Sequence, residues 1–291
     1  MKKKSFIPLF DNTNGVAGII VAVMIVGLVI GVISIIQTIY VPRWMQEREA
    51  EHMSQVANQF SQFKYAVDNL VVTQSTIPIT TFITLGSKEL GFLSSSRAYG
   101  HIQLLSESHT IEIFFSGGTR SAQLRSFQYS SDNAYFLNQE YTYENTAIIL
   151  KQSEGSVMLS KPTITAATTP EPQISIHCVD FNPEGGISSL GGYGTYPIQI
   201  YFREHIAAEQ LSSATSLTIT SEHYQLWEKV VTDILTKAGF KKDGQPTDLY
   251  RFSVAFDPNN NKIIISFDGT RPTISFEKTI LGIQFSPGWI Q

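Results

Sequence analysis

Cysteine is nearly absent. Cys178 stands alone in 291 residues, so no intramolecular disulfide can form and the fold must rest on its hydrophobic core. A zinc site built on several cysteines is excluded with it. Asn-x-Ser/Thr acceptors are missing, which weighs against an exported glycoprotein. There is no basic tract beyond Lys2-Lys3-Lys4, and the net charge is -4, so nucleic-acid binding has no electrostatic support. The acidity is too mild for a salt-adapted surface. Gly-x-Ser-x-Gly, His-Glu-x-x-His and Walker-type phosphate loops are all lacking, and no cofactor or enzyme activity is expected.

One stretch also lacks charge. From Val16 to Tyr40 there is no ionisable group except the terminal tyrosine, and the other polar side chains are Ser34, Gln37 and Thr38. About 25 residues span about 37 Å as a helix at ~1.5 Å per residue. A bilayer core of roughly 30 Å needs about 20 apolar residues, so residues 16–40 are expected to cross a membrane with length left for tilt. Gly27 and Gly31 form a Gly-x-x-x-Gly spacing that permits close helix–helix approach.

Polarity then returns abruptly at Gln46-Glu47-Arg48-Glu49-Ala50-Glu51-His52. An apolar seam follows at Met53, Val56, Phe60, Phe63, Val67 and Leu70. Its alternating steps of three and four predict a second, amphipathic helix over 41–74 with one narrow buried stripe. Asn58, Gln62, Lys64 and Asp68 fall off that stripe. The seam is expected to dock on the rest of the chain or on a neighbouring copy. Pro42 either starts this helix in its first turn or kinks one long helix.

Residues 1–15 form a short basic leader or tail. Three lysines before the apolar run place it on the cytoplasmic side and the C-terminal part outside. The run is longer than a secretory signal's apolar region and its exit, Ile36 to Tyr40, offers no small-residue cleavage site, so it is expected to stay attached. A basic leader ending in Gly15, directly before the apolar run, is similar to a prepilin-type signal, which is cut on the cytoplasmic side with the helix retained. The similarity continues through Gly15-Val16-Ala17-Gly18-Ile19-Ile20-Val21, Tyr40-Val41-Pro42-Arg43-Trp44 and Glu49-Ala50-Glu51-His52. Over residues 10–71 the chain resembles archaeal type IV pilin-like surface proteins, with a fainter echo at Leu217 to Ser221 leading to Tyr224 and Trp227. That resemblance implies an N-terminal helix, a β-rich outer domain, processing between Gly15 and Val16, and self-association through residues 16–71 in a surface filament. Two positions depart from it: Asn14 is not basic, and Ile20 stands where bacterial pilins carry glutamate. An uncleaved signal anchor is the other expectation.

Residues 75–291 read as the outer β-rich domain. Ile77 to Leu85 is extended, with Pro78 placing it at an edge. Strands are expected at 101–105, 110–115, 122–129, 134–143, 147–151 and 156–159, with turns at Gly117-Gly118, Asp132-Asn133 and Glu154-Gly155. Thr163 to Pro172 is a linker or edge that could divide the region. Gln173 to Phe181 is a strand, Gly185 to Gly194 a long flexible loop, and strands resume at 198–202 and 217–220. A helix over about 221–238 carries an apolar face of Tyr224, Trp227, Val230, Val231, Ile234 and Leu235, with Ser221 as its cap, Glu222 in the positive dipole and Gly239 as its end. Strands at 250–256, 263–267 and 273–285 close the chain. The expected class is mainly β: a long N-terminal helix, then a β-sandwich-type domain with one inserted helix.

His177, Cys178 and Asp180 form the most chemical-looking cluster. On a strand, Cys178 and Asp180 share one face and His177 takes the other, so a buried structural cysteine is the expectation. The six histidines (52, 101, 109, 177, 205, 223) lack close metal-ligand spacing. Asp257, Asn259, Asn261 and Asp268 partly fit a Ca²⁺ loop, but Lys262 takes the glycine position and a plain hairpin turn accounts for them better. The aromatic residues are expected in the core or in cross-strand pairs rather than on a binding face. The expected function is structural or adhesive: a pilin-like surface protein with the lipid bilayer, copies of itself and an unidentified extracellular ligand as partners. The alternative is an anchored extracellular hydrolase or ligand-binding ectodomain. A transmembrane receptor is the third expectation, and with about 15 residues expected before the helix it would signal only through a partner.

Overall fold

The computed structural model describes residues 13–87 and 98–285, and side chains from residue 18 onward. The Lys2-Lys3-Lys4 leader lies outside the described residues. Helix α1 (Thr13–Ile35) passes through a π turn, Ile36–Tyr40, into α2 (Val41–Thr73). The sequence leaves two roles open for Pro42, and the π turn reconciles them. An α-helical register would press its ring on the carbonyl four residues back. Instead the Val41 N–H reaches Ile36 O, and the wider turn carries the helix past the proline unbroken.

Five strands make the first sheet, in the order β1 (Ile79–Thr84), β10 (Thr195–Leu211), β15 (Thr273–Phe285), β8 (Gln173–Glu184) and β7 (Ile164–Ala167). Within it, β15 and β8 run parallel. The second sheet runs β12 (Lys241–Lys242), β13 (Tyr250–Asp257), β14 (Lys262–Gly269), β11 (Ser216–Ser221), β2 (Tyr99–Phe115), β3 (Gly118–Asp132), β4 (Gln139–Glu144), β5 (Ala147–Gln152) and β6 (Gly155–Ser160). A short strand, β9 (Ser189–Gly192), pairs with the N-terminal half of β2, whose other half pairs with β11. Helix α3 (Tyr224–Lys237) is the inserted helix. The mainly β class, with a long N-terminal helix, is the observed one.

Two apolar clusters fill the domain, and each contains one helix. The α2 seam from Met53 to Leu70 shares the first cluster with Ile83, Phe127, Tyr141, Tyr143, Phe181, Ile200 and Ile283. Trp227, Val231 and Leu235 of α3 share the second with Ile111, Leu124, Ile176, Cys178, Phe252 and Ile265. The clusters meet along β8, where Ile174, Ile176 and Cys178 belong to one and Val179 and Phe181 to the other.

Several boundaries differ from the sequence reading. The two strands expected at 101–105 and 110–115 are one strand, β2, broken in register between Leu105 and His109 against Ser126 and Leu124. This bulge moves the buried positions from Ile102 and Leu104 to His109, Ile111 and Ile113, so a strict alternation fails across it. The strand expected from Ala134 starts at Gln139, because the preceding amides are taken by a side chain of α2. Thr163 to Pro172 is an edge, since β7 pairs with β8. The loop from Gly185 to Gly194 contains β9. Ser221 does not cap α3: it closes β11, and the helix begins at Tyr224 with no side-chain cap. Gly239 does end it, at φ +101°.

Candidate functional site

The most distinctive surface is α1. From Gly18 onward its side chains are exposed; Met24 and Leu28 are each 69% exposed. One continuous helix, Gly18–Thr73, is long and apolar enough at this end to cross a membrane. Its polar side chains are satisfied locally: Ser34 Oγ donates to Ile30 O at 2.8 Å and Thr38 Oγ1 to Ser34 O at 2.7 Å, as a lipid environment requires. A Cβ built on Gly27 or Gly31 would meet nothing within 4 Å, so the Gly-x-x-x-Gly face is open. Tyr40 and Trp44, rings 5.9 Å apart and both exposed, stand where the apolar part ends. Gly15 and Val16 fall in the first turn of α1.

The other half of this helix is the opposite. Met53, Val56, Phe60, Phe63, Val67 and Leu70 are all buried. Phe63 stacks on Phe127 at 4.5 Å and meets Tyr143 edge-on at 5.5 Å; Phe60 lies 5.5 Å from Tyr141. The buried stripe extends beyond the apolar seam to Val41 and Met45, and it contains three polar residues. Glu49 accepts the backbone N–H groups of Ala134, Tyr135 and Phe136 at 3.1, 2.7 and 2.6 Å. His52 Nε2 donates to Thr84 O at 2.9 Å. Gln59 accepts Thr84 N–H and donates to its hydroxyl, both at 2.9 Å. Burial pushes the His52 imidazole below its ordinary value, against the opposing pull of Thr84 and Glu49.

The cluster at 177–180 splits as the alternation requires. Cys178 is fully buried in the second core, and burial pushes its thiol up to about 12, so it is no nucleophile. Asp180 ties the sheets together, accepting Arg125 N–H and Lys278 Nζ, both at 3.0 Å. His177 faces the other way. Its Nε2 lies 2.9 Å from Thr279 Oγ1, which also meets His205 Nδ1 at 3.3 Å, and Glu277 sits beside both rings. An open cleft of about 580 Å³ nearby is lined by two ion pairs, Arg125 with Asp180 and Arg203 with Glu184, and by Glu204.

The partial Ca²⁺ loop is not assembled. Asp257 and Lys262 close the β13–β14 hairpin around a 3₁₀ turn, while Asp268 pairs with Arg251 far along the same strands. The alternating oxygens therefore belong to a turn, and Asn260 Nδ2 holds Asp257 Oδ2 at 2.6 Å.

Sequence reasoning missed a polar corner at the start of α3. Glu144, at the end of β4, is fully buried; its Oε1 accepts Ser221 Oγ at 2.6 Å and the Trp227 indole N–H, with His109 Nδ1 3.0 Å away. Burial raises its carboxyl, but His109 and the Ser221 hydroxyl outweigh that and hold it below the usual range. Nearer the surface, Glu140 of β4 and Glu222-His223 of the β11–α3 junction converge, with Lys151 bonded to Glu222 and 3.7 Å from Glu140. The β2 bulge and the β4–β5 hairpin build this corner, and neither leaves a contiguous motif. Residues 15–257 match a family of unknown function (DUF7289). No curated protein and no solved structure matches the chain.

Proposed function

Starting from the fact that the chain belongs to the family of unknown function DUF7289, we propose that it is a membrane-anchored, pilin-like surface protein whose work is structural or adhesive. The observation that carries this reading is the single helix Gly18–Thr73, bare and apolar in its first part and embedded in the core of the β domain in its second. A helix exposed over some 20 apolar residues has two stable surroundings, lipid or other such helices. The three lysines at the N-terminus favour a cytoplasmic tail and an extracellular β domain. Tyr40 and Trp44 supply the aromatic anchors of an outer interface. The open Gly27/Gly31 face supplies a surface for self-association. Burial of Cys178 leaves the hydrolase alternative without a thiol nucleophile.

The test is the intact mass and N-terminal sequence of the protein taken from its host's membranes, with electron microscopy of the cell surface. A start at Val16 and filaments containing the chain support pilin-type assembly. A start at Met1 with no filaments reduces the reading to a monotopic anchor. Recovery of the intact chain in the aqueous fraction overturns it.

A further inference from the structure

We propose that Glu140, Glu222 and His223 form a binding site for a divalent metal ion of the zinc class, which fastens the start of α3 to the β4–β5 hairpin. One ligand atom from each residue lies within 4.8 Å of the other two. Glu140 comes from β4, directly across from Lys151 of β5. Glu222 and His223 come from the short junction between β11 and α3. Their convergence is fixed from behind: Ser221 Oγ accepts the His223 backbone N–H at 2.9 Å and donates to the buried Glu144.

Two observations separate this corner from an ordinary acidic cluster. His223 is buried, 7% exposed as a residue, and its ring makes no hydrogen bond or ion pair among the described residues. Glu140 Oε1 is buried without a hydrogen-bond partner. Unpaired buried polar groups are rare and call for a missing partner. Here the Glu140 carboxylate, with Lys151 no nearer than 3.7 Å, lies within 4.8 Å of a ring nitrogen of the buried His223. The local charge asks for the same thing. Glu140 and Glu222 share a single ammonium, Lys151, whose side chain is 39% exposed. A divalent cation in its place balances the carboxylates.

The donor set selects the ion. One imidazole nitrogen and two carboxylate oxygens suit zinc and its neighbours, whereas calcium and magnesium take oxygen alone. Zinc bonds of about 2.0–2.2 Å require the three donors to draw inward, and the exposed Glu222 side chain supplies most of that movement. Three protein donors leave one position for water. The inference is independent of the anchor, because nothing in it depends on α1.

The test is titration of the full-length, detergent-solubilised protein with zinc chloride by calorimetry, with magnesium chloride as control and thermal unfolding as a second readout. One saturable zinc site and a raised melting temperature are expected, with no response to magnesium. His223→Ala and Glu140→Gln should each weaken the site by more than about tenfold. Lys151→Met, which removes the competing ammonium and leaves all three donors, should tighten it. That gain keeps the test decisive even where a loss variant folds poorly. No saturable zinc binding overturns the proposal, as does binding unchanged by His223→Ala, which would place the ion elsewhere, for instance at His177 and His205.

Discussion

Glu49 is an acid inside an apolar stripe, and it stays there because three backbone N–H groups of the 133–138 loop converge on its carboxylate. Hydrogen bonds to a charged acceptor are among the stronger ones. Glu49→Ala should destabilise the protein by about 2 kcal/mol, read by thermal unfolding, and expose the loop to limited proteolysis. Glu49→Gln keeps one acceptor oxygen and should lose less. His52, one turn on, makes the fold sensitive to acid. Its pKa is lowered by burial, so between the folded value and about 6.5 the unfolded chain binds more protons. Stability is then full above about pH 6.5 and falls as pH drops through the folded pKa. Melting temperature measured from pH 7.5 to 5 should decline in the native chain and decline less in His52→Gln. The six apolar seam residues were legible because their spacing repeats. Glu49, His52 and Gln59 were not, because a polar residue inside a stripe reads as solvent-facing until its partner is known. Those partners, Ala134 to Phe136 and Thr84, are distant in sequence.

Among the elements, the strands were mostly legible from alternation and turn residues, and their failures have local causes. β2 reads as two strands because its bulge shifts the parity of the buried positions. β10 runs on to Leu211 although 204–209 looks unlike a strand; β1 covers only its first six residues, so the rest is an open, polar edge. The polar corner at Glu144 could not be read at all, since its members lie on four elements joined by long-range pairing. The boundary of the folding unit shifts as well. Residues 75–291 read as an outer β domain, yet the α2 seam supplies one side of the first core, including Phe60 and Phe63, each stacked on Phe127. Fragment 41–291 should therefore unfold in one cooperative transition. Fragment 75–291 should bind a hydrophobic dye and lack that transition, as an opened core does. Circular dichroism melts of the two would decide it.

At the scale of the molecule, the chain divides at the π turn into an apolar rod and a water-facing domain that share one helix. Full-length protein should partition into the detergent phase on phase separation, and fragment 41–291 should remain in the aqueous phase. Measuring the share of each in the two layers checks this. The helix is about 84 Å long at ~1.5 Å per residue, so a bilayer core of roughly 30 Å would take up less than half of it. Because α2 lies within the domain rather than beside it, a pull on the domain is not taken up by a hinge. Tension entering at Val41 has to slide Met53 through Leu70 past their strands together. Contacts loaded side by side resist as a group, where contacts peeled in turn yield one by one. The buried seam thus makes domain and helix one stiff unit, in which a load applied to the strands passes directly to the rod.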